Sequence, residues 1–264
     1  MQYFNINRLW RLIMTAFCFA LFGIGGLLLS LIWFPLLNIA LRQRDKRRYI
    51  ARRSISYCFK FFMNTMRQLG VLDYRIVGDD TLANDKKCLV VANHPSLIDY
   101  VMLASIMPDT DCIVKSELQR NIFVKGVIRA ANYLINDQSS VLLPTCNERF
   151  KNRETLIIFP EGTRTVYGQP IVLQRGAANI AVRCRVNIRL VHIHCDERML
   201  DKQSSWYHIP ARKPTFTITV GQLININDFI VDTTSDEPSI IARQLNRYIL
   251  EQLSHDSHLP QGHR

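Results

Sequence analysis

The sequence predicts an α/β chain, a sheet flanked by helices behind an N-terminal membrane-associated helical segment. Three observations carry this expectation. Thirty residues from Leu12 to Leu41 contain no formal charge. A dense basic block follows them, and from Asp73 onward short strand-like apolar runs alternate with helical ones. At 264 residues and 48% hydrophobic content, the chain has room for one large domain and an appendage, and its composition excludes a disordered protein.

The uncharged run includes AFCFALFGIGGLLLSLIWFPLL and exceeds the roughly 20 residues that cross a bilayer core. A cleaved signal peptide has a shorter apolar region, about 7–15 residues, and a small-residue cleavage site where this chain is strongly basic. Membrane anchoring is therefore expected. Arg8 and Arg11 precede the run and RQRDKRR follows it, so the positive-inside rule draws both ends, the second more strongly, toward the cytoplasm. Two topologies fit: a single span, or a re-entrant hairpin bent at Gly23, Gly25, Gly26 and Pro35. The expected location is the membrane, with the folded domain facing the cytoplasm (the inner membrane in a bacterium). Basic residues after the run suit anionic headgroups.

Beyond the basic block, Ile55 to Leu72 presents a wide apolar helical face that either lies on the membrane or packs on the domain. CLVVAN (88–93) reads as a buried strand, SLIDYVMLASIM (96–107) as a helix and DCIVK (111–115) as a strand. NIFVKGVIRAANYL (121–134) reads as a helix with an extended end, and TLIIFP (155–160) as a strand. QRGAANIAVRC (174–184) is helical, IRLVHIH (188–194) and TFTITVGQ (215–222) are strands, and PSIIARQLNRYILEQL (238–253) is a closing helix. Buried strands alternating with helices make an α/β sheet whose polar loops carry the chemistry.

The net charge of +11 raises the question of nucleic acid. Residues 1–53 hold nine basic residues against Asp45 alone, so +8 of that charge flanks the apolar run, and no nucleic-acid partner is expected. Seven scattered cysteines without a CxxC pair read as reduced thiols. His192, His194 and Cys195 alternate within a strand and lack a second ligand pair at zinc spacing, so no metal is expected.

Two polar clusters close predicted strands: NHPSLID after CLVVA and FPEGTR (159–164) after TLII. Pro95 suits the first turn of a helix, which leaves His94 in the loop ahead and Asp99 about one turn on. A carboxylate on one imidazole nitrogen fixes the tautomer of a general base. Ser96 and Asp99 equally fit a helix-cap pattern, and the two readings stay level. Glu161-Gly162-Thr163 could be a plain turn with Arg164 a solvated charge, yet arginine holds phosphate or carboxylate bidentately and Gly162 permits close backbone approach.

Taken together, H-x4-D and FPEGTR at this spacing resemble the glycerophospholipid acyltransferase family, of the lysophosphatidic acid acyltransferase type. The resemblance runs from about Leu89 to Val191 and includes Lys115 in KSEL, the Gly126 region and LQRGA (173–177). It implies a mixed sheet flanked by helices, with divisions at 1–54 (membrane anchor and basic linker), 55–254 (acyltransferase domain) and 255–264 (flexible tail). It implies His94 as general base, Asp99 as its orienting partner, and substrate binding by Asn93, Lys115, Glu161, Gly162, Thr163 and Arg164. The reaction implied is direct transfer of a fatty acyl group from a thioester, acyl-CoA or acyl carrier protein, to the hydroxyl of a lysophospholipid, a step of phospholipid biosynthesis without a resident cofactor. The chain lacks G-x-S-x-G, the serine-elbow pattern of a hydrolase.

Two places depart from the family pattern. Where an arginine usually follows a short strand, the chain reads Tyr133-Leu134-Ile135-Asn136-Asp137, which sets an acid against a phosphate acceptor unless Arg164, Lys115 or Arg129 compensates. VNIRLV (186–191) lacks the family's prolines. A non-phosphate lipid or glycolipid acceptor and a non-catalytic membrane-tethered lipid-binding protein are the alternatives. An acidic carrier protein would find Arg120, Lys125 and Arg129 on its path.

Overall fold

The computed structural model describes residues 6–136, 139–231 and 237–255. Helix α1 (Ile6–Leu28) passes through a π-helical turn (Leu29–Trp33) into α2 (Phe34–Ala40), and α3 follows (Arg44–Gln68). Then come β1 (Asp73–Val77), α4 (Asp79–Asn84), β2 (Cys88–Ala92), α5 (Asp99–Ile106), β3 (Asp111–Lys115) and α6 (Lys125–Ala131). The chain continues through β4 (Leu134–Asn136), α7 (Ser139–Lys151), β5 (Leu156–Ile158), α8 (Gly176–Cys184), β6 (Asn187–Cys195), β7 (Thr215–Ile224), α9 (Ile226–Val231) and α10 (Pro238–His255).

The seven strands form one sheet in the order β1-β7-β6-β2-β5-β3-β4, parallel except for the antiparallel pair β6 and β7. The expected mixed sheet is thus the observed one. Central β2 explains why its sequence is apolar throughout: both faces are covered, so all five residues are buried. Successive side chains point to opposite faces. Val90 and Ala92 join a core with Ile55, Phe59 and Met63 of α3 and Met102 of α5. Leu89 and Val91 join another with Ala178 and Ile180 of α8 and Leu245 and Ile249 of α10.

Of the two topologies expected for the N-terminal run, the hairpin is not the one observed. Ile6 to Ala40 is one continuous helix, long and apolar enough to cross a membrane, with no bend at Gly23, Gly25 or Gly26. The irregularity falls instead just before Pro35, where the Phe34 N–H bonds back to the Leu29 carbonyl. This wider turn relieves the clash between the proline ring and the preceding turn. The helix runs antiparallel beside α3: the Trp10 indole donates to the Leu69 carbonyl at 2.9 Å, and the Trp33 indole to Ser54 Oγ at 3.0 Å. The Arg11 guanidinium is buried against the carbonyls of Pro210, Ala211 and Arg212. A helix tied down at both ends lies along the domain.

Of the two placements open to Ile55–Leu72, packing on the domain is the observed one, with Phe59, Phe62, Met63 and Met66 buried. Helix α3 begins at Arg44 and crosses residues 54 and 55, the expected division between anchor and domain, without a break. It ends on Gly70, whose φ of +71° lets the Gly70 and Val71 N–H groups cap the carbonyls of Arg67 and Met66.

Part of the basic block is consumed in holding α3 to the sheet. Arg52 is buried and donates to the Ala131 carbonyl at 3.0 Å and to Glu154 at 2.7 Å, with Asp111 2.6 Å from its other amino group. Arg48 reaches Glu154 at 3.0 Å, and Arg149 reaches Asp111 at 3.2 Å. Burial raises the Asp111 carboxyl to about 7 even with the Arg52 charge opposing the shift. Arg52→Ala removes the shared cation and leaves the buried Asp111 and the partly buried Glu154 each short of a partner. The expected loss is about 3–5 kcal/mol in a urea titration, against about 0.5 kcal/mol or less for Arg42→Ala on the exposed loop. Equal losses would show that Arg52 does not tie α3 down.

Candidate active site

Strand register brings the two polar clusters together. Strands β2 and β5 are parallel neighbours with Val91 opposite Ile158. Three residues past each lie His94 and Glu161, so the loops leaving the two strands meet at one sheet edge. The His94 backbone N–H donates to Glu161 Oε1 at 2.7 Å, and the Thr165 N–H donates to the His94 carbonyl at 2.7 Å. The Thr165 hydroxyl donates to Glu161 Oε2 in a short hydrogen bond.

His94 Nδ1 lies 2.7 Å from Asp99 Oδ2, and the same oxygen accepts the Ser96 N–H at 2.7 Å. Both readings of this stretch are therefore present at once: one carboxylate closes the turn and holds the imidazole. The turn also displaces the expected helix start. Helix α5 begins at Asp99 instead of Ser96, and Pro95 sits ahead of the turn, outside the helix. The Leu97 N–H is taken by the Leu200 carbonyl, which holds this turn against the 196–205 loop.

Asp99 is fully buried, and its Oδ1 has no hydrogen-bond partner. Burial pushes this carboxyl above the ordinary aspartate range, opposed by the His94 and Ser96 bonds. The imidazole stacks on the Phe159 ring at a centroid distance of 4.3 Å and keeps 20% of its surface exposed. Its Nε2 makes no protein hydrogen bond among the described residues. A nitrogen so placed is free to take a proton from a bound hydroxyl.

His94 opens on a cavity of about 870 Å³. Phe19 and Phe22 of α1, Phe59 and Phe62 of α3 and Val127 and Ile128 of α6 supply apolar walls. Phe22 packs on Phe62 at 5.0 Å and on Phe59 at 5.9 Å. The apolar N-terminal helix is thus a wall of the site. The size and lining suit a hydrocarbon chain.

Lys115, Gly162, Thr163 and Arg164 also line this cavity. Arg164 spends Nη1 on the carbonyls of Leu200 and Asp201, at 3.0 and 2.8 Å, which aims the guanidinium. Gly162 has a φ of +68°, a conformation that glycine adopts without strain.

Asn93 and Glu161, also expected to bind substrate, are engaged by protein partners. The Asn93 amide is buried and engaged at both atoms by the Ile193 backbone, at 2.8 and 2.6 Å, which clamps β2 to β6. Glu161 is buried and committed to His94 and Thr165; burial raises its carboxyl, opposed by those bonds. Arg129, one of three cations that could offset Asp137, lines a different cavity. Asp137 itself lies outside the described residues. Phe159 and Thr165 were not expected as site residues, although Phe159 opens the FPEGTR motif.

Residues 73–194 match the family model described as Acyltransferase. Among curated proteins, the chain is similar to a 1-acyl-sn-glycerol-3-phosphate acyltransferase of Helicobacter pylori, with 32% identity over 53% of this chain and 58% of the relative. A protein of the same name from Saccharomyces cerevisiae is 28% identical over 54% of this chain and 48% of its own. The chain spans about half the length of these relatives. The crystal structure of the 1-acyl-sn-glycerophosphate acyltransferase PlsC of Thermotoga maritima shares the fold, with a TM-score of 0.69 over 96% of this chain and 100% of that one, at 20% identity.

The role of Glu161 is open to a direct test. Glu161→Gln keeps an acceptor for the His94 N–H and is expected to leave thermal stability nearly unchanged. Glu161→Leu strands that N–H and the Thr165 hydroxyl at a cost of about 1–3 kcal/mol, read as a lowered melting temperature. A Gln variant as damaged as the Leu variant would rule out the positioning role.

Proposed function

We propose that the chain, whose residues 73–194 match the Acyltransferase family model, transfers a fatty acyl group from an acyl thioester to the hydroxyl of a lysophospholipid, with 1-acylglycerol 3-phosphate the leading acceptor. The observation that carries the proposal is the His94–Asp99 pair, with Nε2 unpartnered at a cavity whose walls suit an acyl chain.

Asp99 accepts from Nδ1, which favours the Nδ1–H tautomer and leaves a lone pair on Nε2. That nitrogen takes the acceptor proton as the hydroxyl oxygen attacks the thioester carbonyl. The tetrahedral intermediate collapses with loss of the thiol, which recovers the proton from the imidazolium. No covalent acyl-enzyme is needed. Arg164 and Lys115 are the cations at this cavity and would bind the acceptor phosphate, with Arg164 pre-aimed by its two carbonyl contacts.

The apolar helix Ile6–Ala40 supports attachment to a membrane. Its ties to α3 and to the 210–212 carbonyls favour a helix lying in the interface beside the site over one leaving the domain to span the bilayer. A lysophospholipid would then pass from the lipid surface to His94 without crossing water. The donor, acyl-CoA or acyl carrier protein, follows from the reaction class.

His94→Ala is expected to reduce transfer to lysophosphatidate by at least about a hundredfold, with thermal melting unchanged, because the imidazole is a half-buried cavity wall. The assay follows labelled acyl groups from each thioester donor into phosphatidate. Native-rate transfer by the variant would remove His94 from the chemistry.

A further inference from the structure

Helix α6 separates the His94 cavity from a second one of about 630 Å³, and no residue lines both. The seam between them is tight: a Cβ placed on Gly126 would sit 2.2 Å from Ser30 Oγ. Five arginines line the second cavity: Arg44, Arg47 and Arg48 of α3, Arg129 of α6 and Arg149 of α7. Two are already spent, Arg48 on Glu154 and Arg149 on Asp111 and Glu154. Arg44 and Arg129 have no ion pair among the described residues, and Arg47 has only a 3.4 Å contact to the Leu41 carbonyl. The lining carboxylates are Asp45, 3.6 Å from Arg48, and Glu148. Three unspent guanidiniums thus face one cavity with a single acid unmatched.

The remaining wall is α2, through Phe34, Pro35 and Leu37. On the same stretch of helix, Leu31, Leu36 and Ile39 point outward with 72%, 53% and 81% of their surface exposed. A cationic cavity thus borders apolar surface on a helix long and apolar enough to enter a membrane. An occupant that satisfies both carries an anion and a hydrocarbon chain on one molecule. A free phosphate would leave the apolar flank uncovered, and the phosphate of an acyl donor bound at His94 would have to pass the Gly126–Ser30 seam.

We infer that this cavity binds the phosphodiester headgroup of an anionic membrane phospholipid, with its acyl chains along the outer face of α2. Arginine suits that role because its planar fork pairs with phosphate oxygens at two points. Such a lipid is distinct from the acceptor, and the assignment stands without the acyl-transfer reading. Its effect is to register the domain on the membrane at a fixed point beside the N-terminal helix.

The test is flotation of the purified full chain with phosphatidylcholine vesicles with and without phosphatidylglycerol. It compares Arg47→Gln/Arg129→Gln with Arg42→Gln/Lys46→Gln, which removes the same charge from exposed positions outside the cavity. Both variants are checked first for unchanged thermal melting. A built site predicts that the cavity pair loses about tenfold more binding to phosphatidylglycerol vesicles than the control pair, with no difference on phosphatidylcholine. Equal losses would reduce the feature to diffuse surface attraction and overturn the inference. Release from phosphatidylglycerol by inorganic phosphate or coenzyme A at matched ionic strength would assign the cavity to a free anion or the donor, and would equally overturn it.

Discussion

The in-register parallel pairing of β2 with β5 is the constraint on which the candidate site depends. It sets Val91 beside Ile158 and so delivers His94 and Glu161, nearly seventy residues apart in the chain, to one point at the sheet edge. The pairing is held by burial on both faces, where a slip of one residue would turn Leu89 and Val91 into the wrong core. Once the strands are in place, the Glu161 carboxylate captures the His94 N–H and Asp99 captures Nδ1. The imidazole is then gripped from its backbone and from one ring nitrogen, and only Nε2 is left for a substrate. The Asn93 amide, Asp99 Oδ2 and the Glu161 carboxylate at this edge are each paired with backbone or side chain, which lets a strand as apolar as CLVVA end in a polar cluster.

The N-terminal helix belongs to the same construction. Its Phe19 and Phe22 complete the apolar cavity, its Trp10 and Trp33 bind it along α3, and α3 is in turn locked to the sheet by Arg52. The proposed attachment to a lipid surface and the shaping of the apolar cavity would therefore fall to one element. A displaced α1 would open the cavity to water at the face where the acyl chain is proposed to lie.

Much of this was legible in the sequence because local pattern and local chemistry coincide there. Strands such as CLVVA and LII are too apolar to be anything but buried, and the H-x4-D spacing sets a histidine and an aspartate within reach of each other whether the turn caps a helix or orients a base. What was not legible was pairing at a distance. Nothing in FPEGTR says that its glutamate faces the His94 backbone, and nothing near Asn93 says that its amide clamps Ile193; both look like exposed polar residues until the neighbouring strand is known. The basic block misleads in the same way, since Arg48 and Arg52 are indistinguishable by sequence from Arg42 and Lys46 yet are spent on Glu154, and Arg52 also on the buried Asp111. Likewise, composition carries no record of the Arg11 contacts that tie the long apolar run to the 210–212 carbonyls.

In the proposed mechanism Asp99 holds His94 so that Nε2 offers a lone pair to the cavity. The most direct measurement is the tautomer of His94, read from nitrogen-15 and proton NMR of histidine-labelled protein at a pH where the imidazole is neutral. The account predicts a proton on Nδ1, deshielded by its bond to Asp99, and an unprotonated Nε2. A neutral His94 with its proton on Nε2 would contradict it, because the nitrogen facing the cavity would then be a donor with no capacity to act as a base.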